Sequence, residues 1–286
     1  MFPIRDHNPS GRTPYVVYAL MILNIGIFFS YWSILDDGYK ISMFFYDWAL
    51  TPRAISEGQQ LHGLLTSMFL HGGFMHLAGN MLFLWIFGDN MEDEMGHIGF
   101  LIFYLAAGLG AGLAQFAADS TSTVPMVGAS GAIAGVMGGY LLLFPKARVD
   151  ILVIIIIIFR IFTVPAWLML GLWFGLQLFN GLSFDSSGGG VAHWAHAGGF
   201  IAGAILTLPL WIKRGGSRFW SATQGHPPHP EARYRLSKST VPTVRRDGPQ
   251  SSEDDTTEKR SPWGSQKPNA ATPPIKSTIP TVRRRK

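Results

Sequence analysis

Apolar runs long enough to cross a bilayer recur from residue 14 to residue 212, and they limit the fold of this chain more than any other feature. A span needs about 20 largely apolar residues to cross roughly 30 Å of hydrocarbon. Residues 14–35, 74–87 with the apolar approach 64–70, 98–117, 127–144, 165–179 and 191–212 qualify. In hydrocarbon every backbone N–H and C=O must be satisfied internally, so such runs become helices. The pattern predicts an all-α polytopic membrane protein, a bundle of six transmembrane helices over residues 14–212. The stretch from Ile151 to Phe162 is apolar and rich in isoleucine but short, with Arg160 and Pro165 at its end. Its length fits a re-entrant or interfacial piece leading into the fifth span better than a seventh helix.

Positive charge sets the expected orientation. Lys146 and Arg148 follow the fourth span, and Lys213, Arg214 and Arg218 follow the sixth, whereas residues 119–126 and 182–190 contain no Lys or Arg. Basic residues collect on the cytoplasmic side. Both chain ends are therefore expected in the cytoplasm, with a long first loop, about residues 36–63, outside the cell (inner) membrane. Residues 1–13 form a short cytoplasmic segment with Arg5 and Arg12. No Ala-x-Ala-like cleavage site follows, so the first apolar run reads as a retained helix and not a signal peptide.

The net charge of +5 belongs to the tail: residues 213–286 hold 16 Lys/Arg against 6 Asp/Glu. That asymmetry removes the argument for a nucleic-acid partner that basicity alone would suggest. The tail is rich in Pro, Ser and Thr, a composition expected to stay disordered. It repeats one string almost unchanged, from Lys238 to Arg246 and from Lys276 to Arg284, with Val241 replaced by Ile279. The repeat reads either as a duplicated docking motif or as basic chain held against anionic lipid. Cysteine is absent, which excludes disulfides, thiolate metal sites and a cysteine nucleophile.

Polar residues inside the apolar runs carry the chemical signal. Gly128-Ala129-Ser130-Gly131 opens the fourth span, Ala195-His196-Ala197-Gly198-Gly199 opens the sixth, and His76 and Asn80 share a face of the second, four residues apart. With 1.5 Å of rise per residue, Ser130, His196 and Asn80 lie about 5, 8 and 9 Å below the outer face, a common level. Singly each has an ordinary role. A membrane serine usually bonds to its own helix backbone, and an asparagine can be interhelical glue; an intramembrane histidine is the rarer find. Together they suggest a hydroxyl nucleophile, an imidazole base and donors for an oxyanion. His71 is expected at the entrance of the second helix, before Gly72-Gly73. His193 reads as a cap or outer-interface residue, and His62 and His97 as loop residues. Between His97 and Ile212 the only acids are Asp119, Asp150 and Asp185, all in expected loops. No embedded carboxylate can orient His196, so a Ser–His dyad is implied instead of a triad. No His-Glu-x-x-His zinc motif and no aspartate pair within the spans exist, and no metal or cofactor is implied. Gly108/Gly112, Gly131/Gly135 and Gly199/Gly203 are small-xxx-small pairs that let helices approach closely.

At these residues the chain resembles the rhomboid intramembrane serine proteases of the compact six-span bacterial type. The motifs are Gly-x-Ser-Gly, Ala-His-x-x-Gly and His-x4-His-x3-Asn in the expected spans, and the resemblance covers about residues 14–212. It implies Ser130 as nucleophile, His196 as general base, and an oxyanion hole of Asn80, His76 and the Ser130 amide. Gly128 and Gly131 would line the site, and His71 matches a histidine at its water-retaining end. The implied substrates are single-span membrane proteins cut near a small residue at the outer face. Two positions depart from the pattern. His62-Gly63 stands where many members carry Trp-Arg, which bears on how the first loop is anchored. Ala134 replaces a tyrosine that stacks on the histidine in some members, so another side chain must orient His196 or its orientation is looser. The rival readings are a non-catalytic rhomboid-like escort factor and a small transporter; the latter lacks an ionisable pair in the inner halves of the spans.

Overall fold

Most of the apolar runs become helices, in an order that the backbone geometry makes explicit. The computed structural model describes residues 2–155, 158–183 and 191–228. A short strand β1 (Phe2–Asp6) precedes helix α1 (Tyr15–Ser30), followed by α2 (Gly38–Trp48), α3 (Pro52–Ser56) and α4 (Gly63–Thr66). Then come α5 (Phe74–Met95), α6 (His97–Ala118) and α7 (Ser130–Leu143). Strands β2 (Arg148–Ile155) and β3 (Ile158–Pro165) lead into α8 (Ala166–Ser183), α9 (His193–Lys213) and a short α10 (Ser217–Thr223). Helices α6 and α9 are each long and apolar enough to cross a bilayer. The turn from Gly63 to Phe69 and α5 pass that test together, bent by 92° at the break, while α1 and α7 are shorter apolar helices.

Helix α7 is buried along nearly its whole length and forms the axis of the core, against α5, α6 and α9. Its contact with α9 is backbone to backbone. A Cβ on Gly199 or Gly203 would overlap the carbonyls of Gly131 and Gly135, and one on Gly138 would overlap that of Phe200. The two small-residue pairs read from the sequence thus meet each other. Around them Phe87, Phe100, Tyr104 and Tyr140 fill the interior. At the other end of the bundle the buried carboxylate of Glu92 caps α1, accepting from the amides of Val16 (2.9 Å) and Val17 (2.8 Å), two donors that a helix start leaves free.

The structure corrects the sequence reading at three places. The stretch from Ile151 to Phe162, expected as a re-entrant or interfacial piece of an all-α fold, is extended where it is described: residues 151–155 and 158–162 pair in an antiparallel hairpin, β2 with β3. Strand β1, within the segment 1–13 set apart above, adds to the hairpin in the order β1-β2-β3, so the fold is mostly but not purely helical. A run of β-branched side chains favours extended backbone, and pairing satisfies the ladder that a dozen residues could not satisfy by spanning. Asp150, only 2% exposed, ties the sheet by accepting from Arg5 Nε (2.6 Å) and Thr163 Oγ1 (2.6 Å), with His7 Nε2 at 3.0 Å. The third correction concerns the chain after residue 212. Here α10 buries Phe219, and Trp220 Nε1 donates to the Leu142 carbonyl at 2.9 Å, so this stretch packs on the end of α7. Both copies of the basic repeat lie outside the described residues.

Asp6 sits where the sheet meets the bundle, its Oδ2 accepting from the Tyr140 hydroxyl at 2.7 Å. Burial, reinforced by the neighbouring Asp89 charge, raises its pKa from 3.8 to about 8. Between about pH 4 and pH 8 the folded chain keeps a proton that the unfolded chain releases, so stability falls as pH rises through that window. The unfolding midpoint of the detergent-solubilised protein is expected to fall from pH 5 to pH 8, and Asp6→Asn is expected to flatten that slope. An unchanged slope in the variant would contradict the assignment.

Candidate active site

Ser130 is placed by a break in the chain. Gly128 adopts φ +131°, a value side-chain-bearing residues rarely take, and the helix begins only after it. Ser130 is thus the first residue of α7, not a residue three positions inside a helix, and its amide has no acceptor within the helix. The preceding segment is pinned from two sides. Leu50 and Met126 exchange backbone hydrogen bonds (3.1 and 2.8 Å), and the Gly128 amide donates to the Ser67 carbonyl at 2.9 Å. An added Cβ at Gly128 would lie 2.9 Å from His76 Nε2 and 3.3 Å from Ser130 Oγ, so the glycine leaves room for both.

His196 reaches the serine from α9, one turn into that helix. Its Nε2 lies 2.8 Å from Ser130 Oγ. On the other edge of the ring, Nδ1 lies 3.0 Å from Oε1 of Gln177 on α8, and Nδ1 of His193 approaches the same oxygen at 2.9 Å. Trp173, four residues before Gln177 and on the same helix face, sets its ring 5.7 Å from the imidazole at 33°. The start of α9 is held from α6: Gln115 Oε1 accepts from the Ala195 amide at 3.2 Å.

Helix α5 supplies the third wall. His76 and Asn80 line a cavity of about 630 Å³ together with Phe83, Ser130, Trp173 and His196. Asn80 is 7% exposed, and its Nδ2 has no partner among the described residues, which leaves a donor at the cavity. His71 lies just before the helix, fully buried, with its ring 5.2 Å from that of His76 and its backbone bonded to the Tyr31 hydroxyl. Gly131 sits behind Ser130, against Ala111 and the carbonyl of Ala195. The structure therefore gathers Ser130, His196, His76 and Asn80 around one cavity, with Gly128 and Gly131 supporting the serine. The sequence reading placed His193 at a cap or outer interface; it opens α9 and faces Gln177. His62 directs Nε2 to the Asp47 carbonyl (2.7 Å), and His97 opens α6 beside Glu92.

Gln177, Trp173 and Gln115 escaped the sequence reading. Their signal was present: Gln177 is the one amide in the otherwise apolar run from Ala166 to Phe179 of α8, one helical turn after a tryptophan.

Residues 58–213 match the model of the rhomboid domain. The chain belongs to the rhomboid family. Among its relatives, the rhomboid protease GluP of Bacillus subtilis is 38% identical over 156 residues, 51% of this chain and 26% of GluP. RHOMBOID-like protein 5 of Arabidopsis thaliana is 39% identical over 93 residues, 32% of this chain and 30% of that protein. The mitochondrial rhomboid protein 1 of Saccharomyces cerevisiae is 27% identical over 199 residues, 66% of this chain and 51% of the yeast protein. The chain thus spans about a quarter to a half of the length of these relatives.

This rhomboid fills its two departures from the family pattern with other groups. In the first loop, the His62 ring contacts Trp48, and Gly63 packs directly on the backbone at Ala49 and Leu50, where a Cβ would not fit. Ala134 is fully buried on α7, and the aromatic ring beside His196 comes from Trp173 on α8. Gly128→Ala combines an unfavourable φ with a close contact on His76. It is expected to destabilise the protein by about 1–3 kcal/mol, read as a lowered unfolding midpoint; a midpoint equal to that of the native protein would contradict this account of the turn.

Proposed function

We propose that this chain is an intramembrane serine endopeptidase that cuts transmembrane segments of membrane proteins near the outer face of the bilayer. One observation carries the reading above the others: the 2.8 Å approach of His196 Nε2 to Ser130 Oγ at the wall of a cavity. In this mechanism the scissile carbonyl of a locally unwound substrate meets Ser130. His196 takes the hydroxyl proton as the Oγ–C bond forms, then returns it to the leaving amine as the peptide C–N bond breaks. Water, activated by the same imidazole, hydrolyses the acyl-enzyme. The developing oxyanion is held by Asn80 Nδ2, His76 and the free amide of Ser130.

The remaining assignments follow this reading. Helices α1, α5, α6, α7, α8 and α9 serve as six spans of a protease domain over about residues 14–212, in a cell (inner) membrane with both termini cytoplasmic. The basic repeat of the tail offers attachment to a partner or to anionic lipid. The competing reading is a non-catalytic escort of other membrane proteins, for which Ser130 and His196 would have no chemical task.

Purified protein in detergent with a model transmembrane substrate tests the proposal. Ser130→Ala is expected to abolish cleavage, and equal cleavage by both proteins would reject the assignment. Asn80→Ala is expected to slow turnover about 100-fold without abolishing it, the usual cost of losing one oxyanion donor; an unchanged rate would remove Asn80 from the oxyanion hole.

A further inference from the structure

A general base of the Ser–His type needs a defined tautomer. Its Nε2 must carry a lone pair toward the hydroxyl, and its Nδ1 must carry the proton. A buried carboxylate commonly enforces this, but among the described residues no acid lines the cavity or bonds to His196. We infer that Gln177 is the positioning residue of His196, an uncharged stand-in for the third member of a triad. The inference rests on the reading of Ser130 and His196 as nucleophile and base, and it names the group that makes that base competent.

The argument is one of donors and acceptors. An amide oxygen has two lone pairs and no proton. Gln177 Oε1 stands 3.0 Å from Nδ1 of His196 and 2.9 Å from Nδ1 of His193. Each contact is a hydrogen bond only if the ring nitrogen carries the proton. His196 is then the Nδ1–H tautomer, and its Nε2 faces Ser130 Oγ as an acceptor. The reversed amide would present its NH2 group to both Nδ1 atoms. Nε2 of His196 would then hold the proton, and the ring would donate to the serine instead of deprotonating it. The amide orientation of Gln177 therefore selects between an active and an inert tautomer. Once His196 becomes an imidazolium, its Nδ1–H bond to Oε1 is charge-assisted and strengthens, which favours the transition state over the resting enzyme.

The setting supports this role. Gln177 is 8% exposed, on a helix otherwise apolar from Ala166 to Phe179. Trp173 lies on the same face of α8 and packs on the same imidazole, so one helix supplies both the acceptor and the ring. A purely structural amide, bridging α8 to α9, would serve packing and leave the proton affinity of His196 untouched. The titratable groups facing His196 are His193 on its own helix and His76 on α5.

The test uses the full chain in detergent with a fluorogenic transmembrane substrate. Turnover number and KM are measured from about pH 5 to pH 9 for the native protein, Ser130→Ala, Gln177→Leu and Gln177→Glu. Gln177→Leu is expected to lower kcat about 10- to 100-fold, the usual range for one hydrogen bond to a charged group, with little change in KM. Gln177→Glu retains an acceptor oxygen and cannot present a donor when ionised. It is expected to recover at least about ten-fold over the leucine variant near pH 8 and to move the acid limb of the profile upward, because a carboxylate favours the imidazolium. A glutamate variant with the native acid limb would overturn the inference, and so would a leucine variant with native kcat. If the leucine variant does not fold, the acid limb of the glutamate variant decides alone. Equal cleavage by Ser130→Ala would instead reject the nucleophile assignment, a separate failure.

Discussion

The contact on which the rest of the molecule depends is the side-chain-free seam between α7 and α9. Gly131, Gly135 and Gly138 meet Gly199, Phe200 and Gly203 backbone to backbone, closer than any Cβ would permit. Apolar side chains provide little net drive between helices in lipid, so close approach and the dispersion it gives must hold the bundle together. The same seam brings the first turns of the two helices to one level. Ser130 begins α7 and His196 lies in the first turn of α9, so the distance between hydroxyl and imidazole is set by the glycines that follow them along the seam. Any larger residue along the seam would act on the site without touching it.

A second constraint is the cost of burying polar groups away from water. The structure meets it by pairing at the ends of helices. Glu92 caps α1, Gln115 caps α9, and Gln177 satisfies two imidazoles at once. Asn80 is one exception, with a buried amide nitrogen that has no partner among the described residues beside the cavity. An unpaired donor in such surroundings costs stability, and the proposed role as an oxyanion donor gives that cost a purpose.

Much of this architecture was legible in the sequence because membranes restrict the options. Hydrophobic length marked the long helices, and the small-residue spacings marked the seam. What was not legible depended on features that hydropathy does not encode. The isoleucine-rich stretch scored as apolar, yet its β-branching and its pairing with Phe2–Asp6 made it a sheet. The start of α7 was placed three residues early because Val127 and Ala129 look helical, while the backbone angle of Gly128 is invisible to composition. The orientation of His196 was left open once no embedded acid could be found. A neutral amide four residues after a tryptophan was the answer, and a search for charged partners passes over it.

The account stands on an activated hydroxyl inside an apolar bundle, and reactivity reports that state most directly. A fluorophosphonate attacks only serines whose proton a neighbouring base can accept. Mass-spectrometric mapping of the adduct on the folded, detergent-solubilised protein should find the phosphonyl group on Ser130 and no adduct there in His196→Ala. An adduct on Ser130 that persists without His196, or a folded native protein that takes up no label, would contradict the central claim.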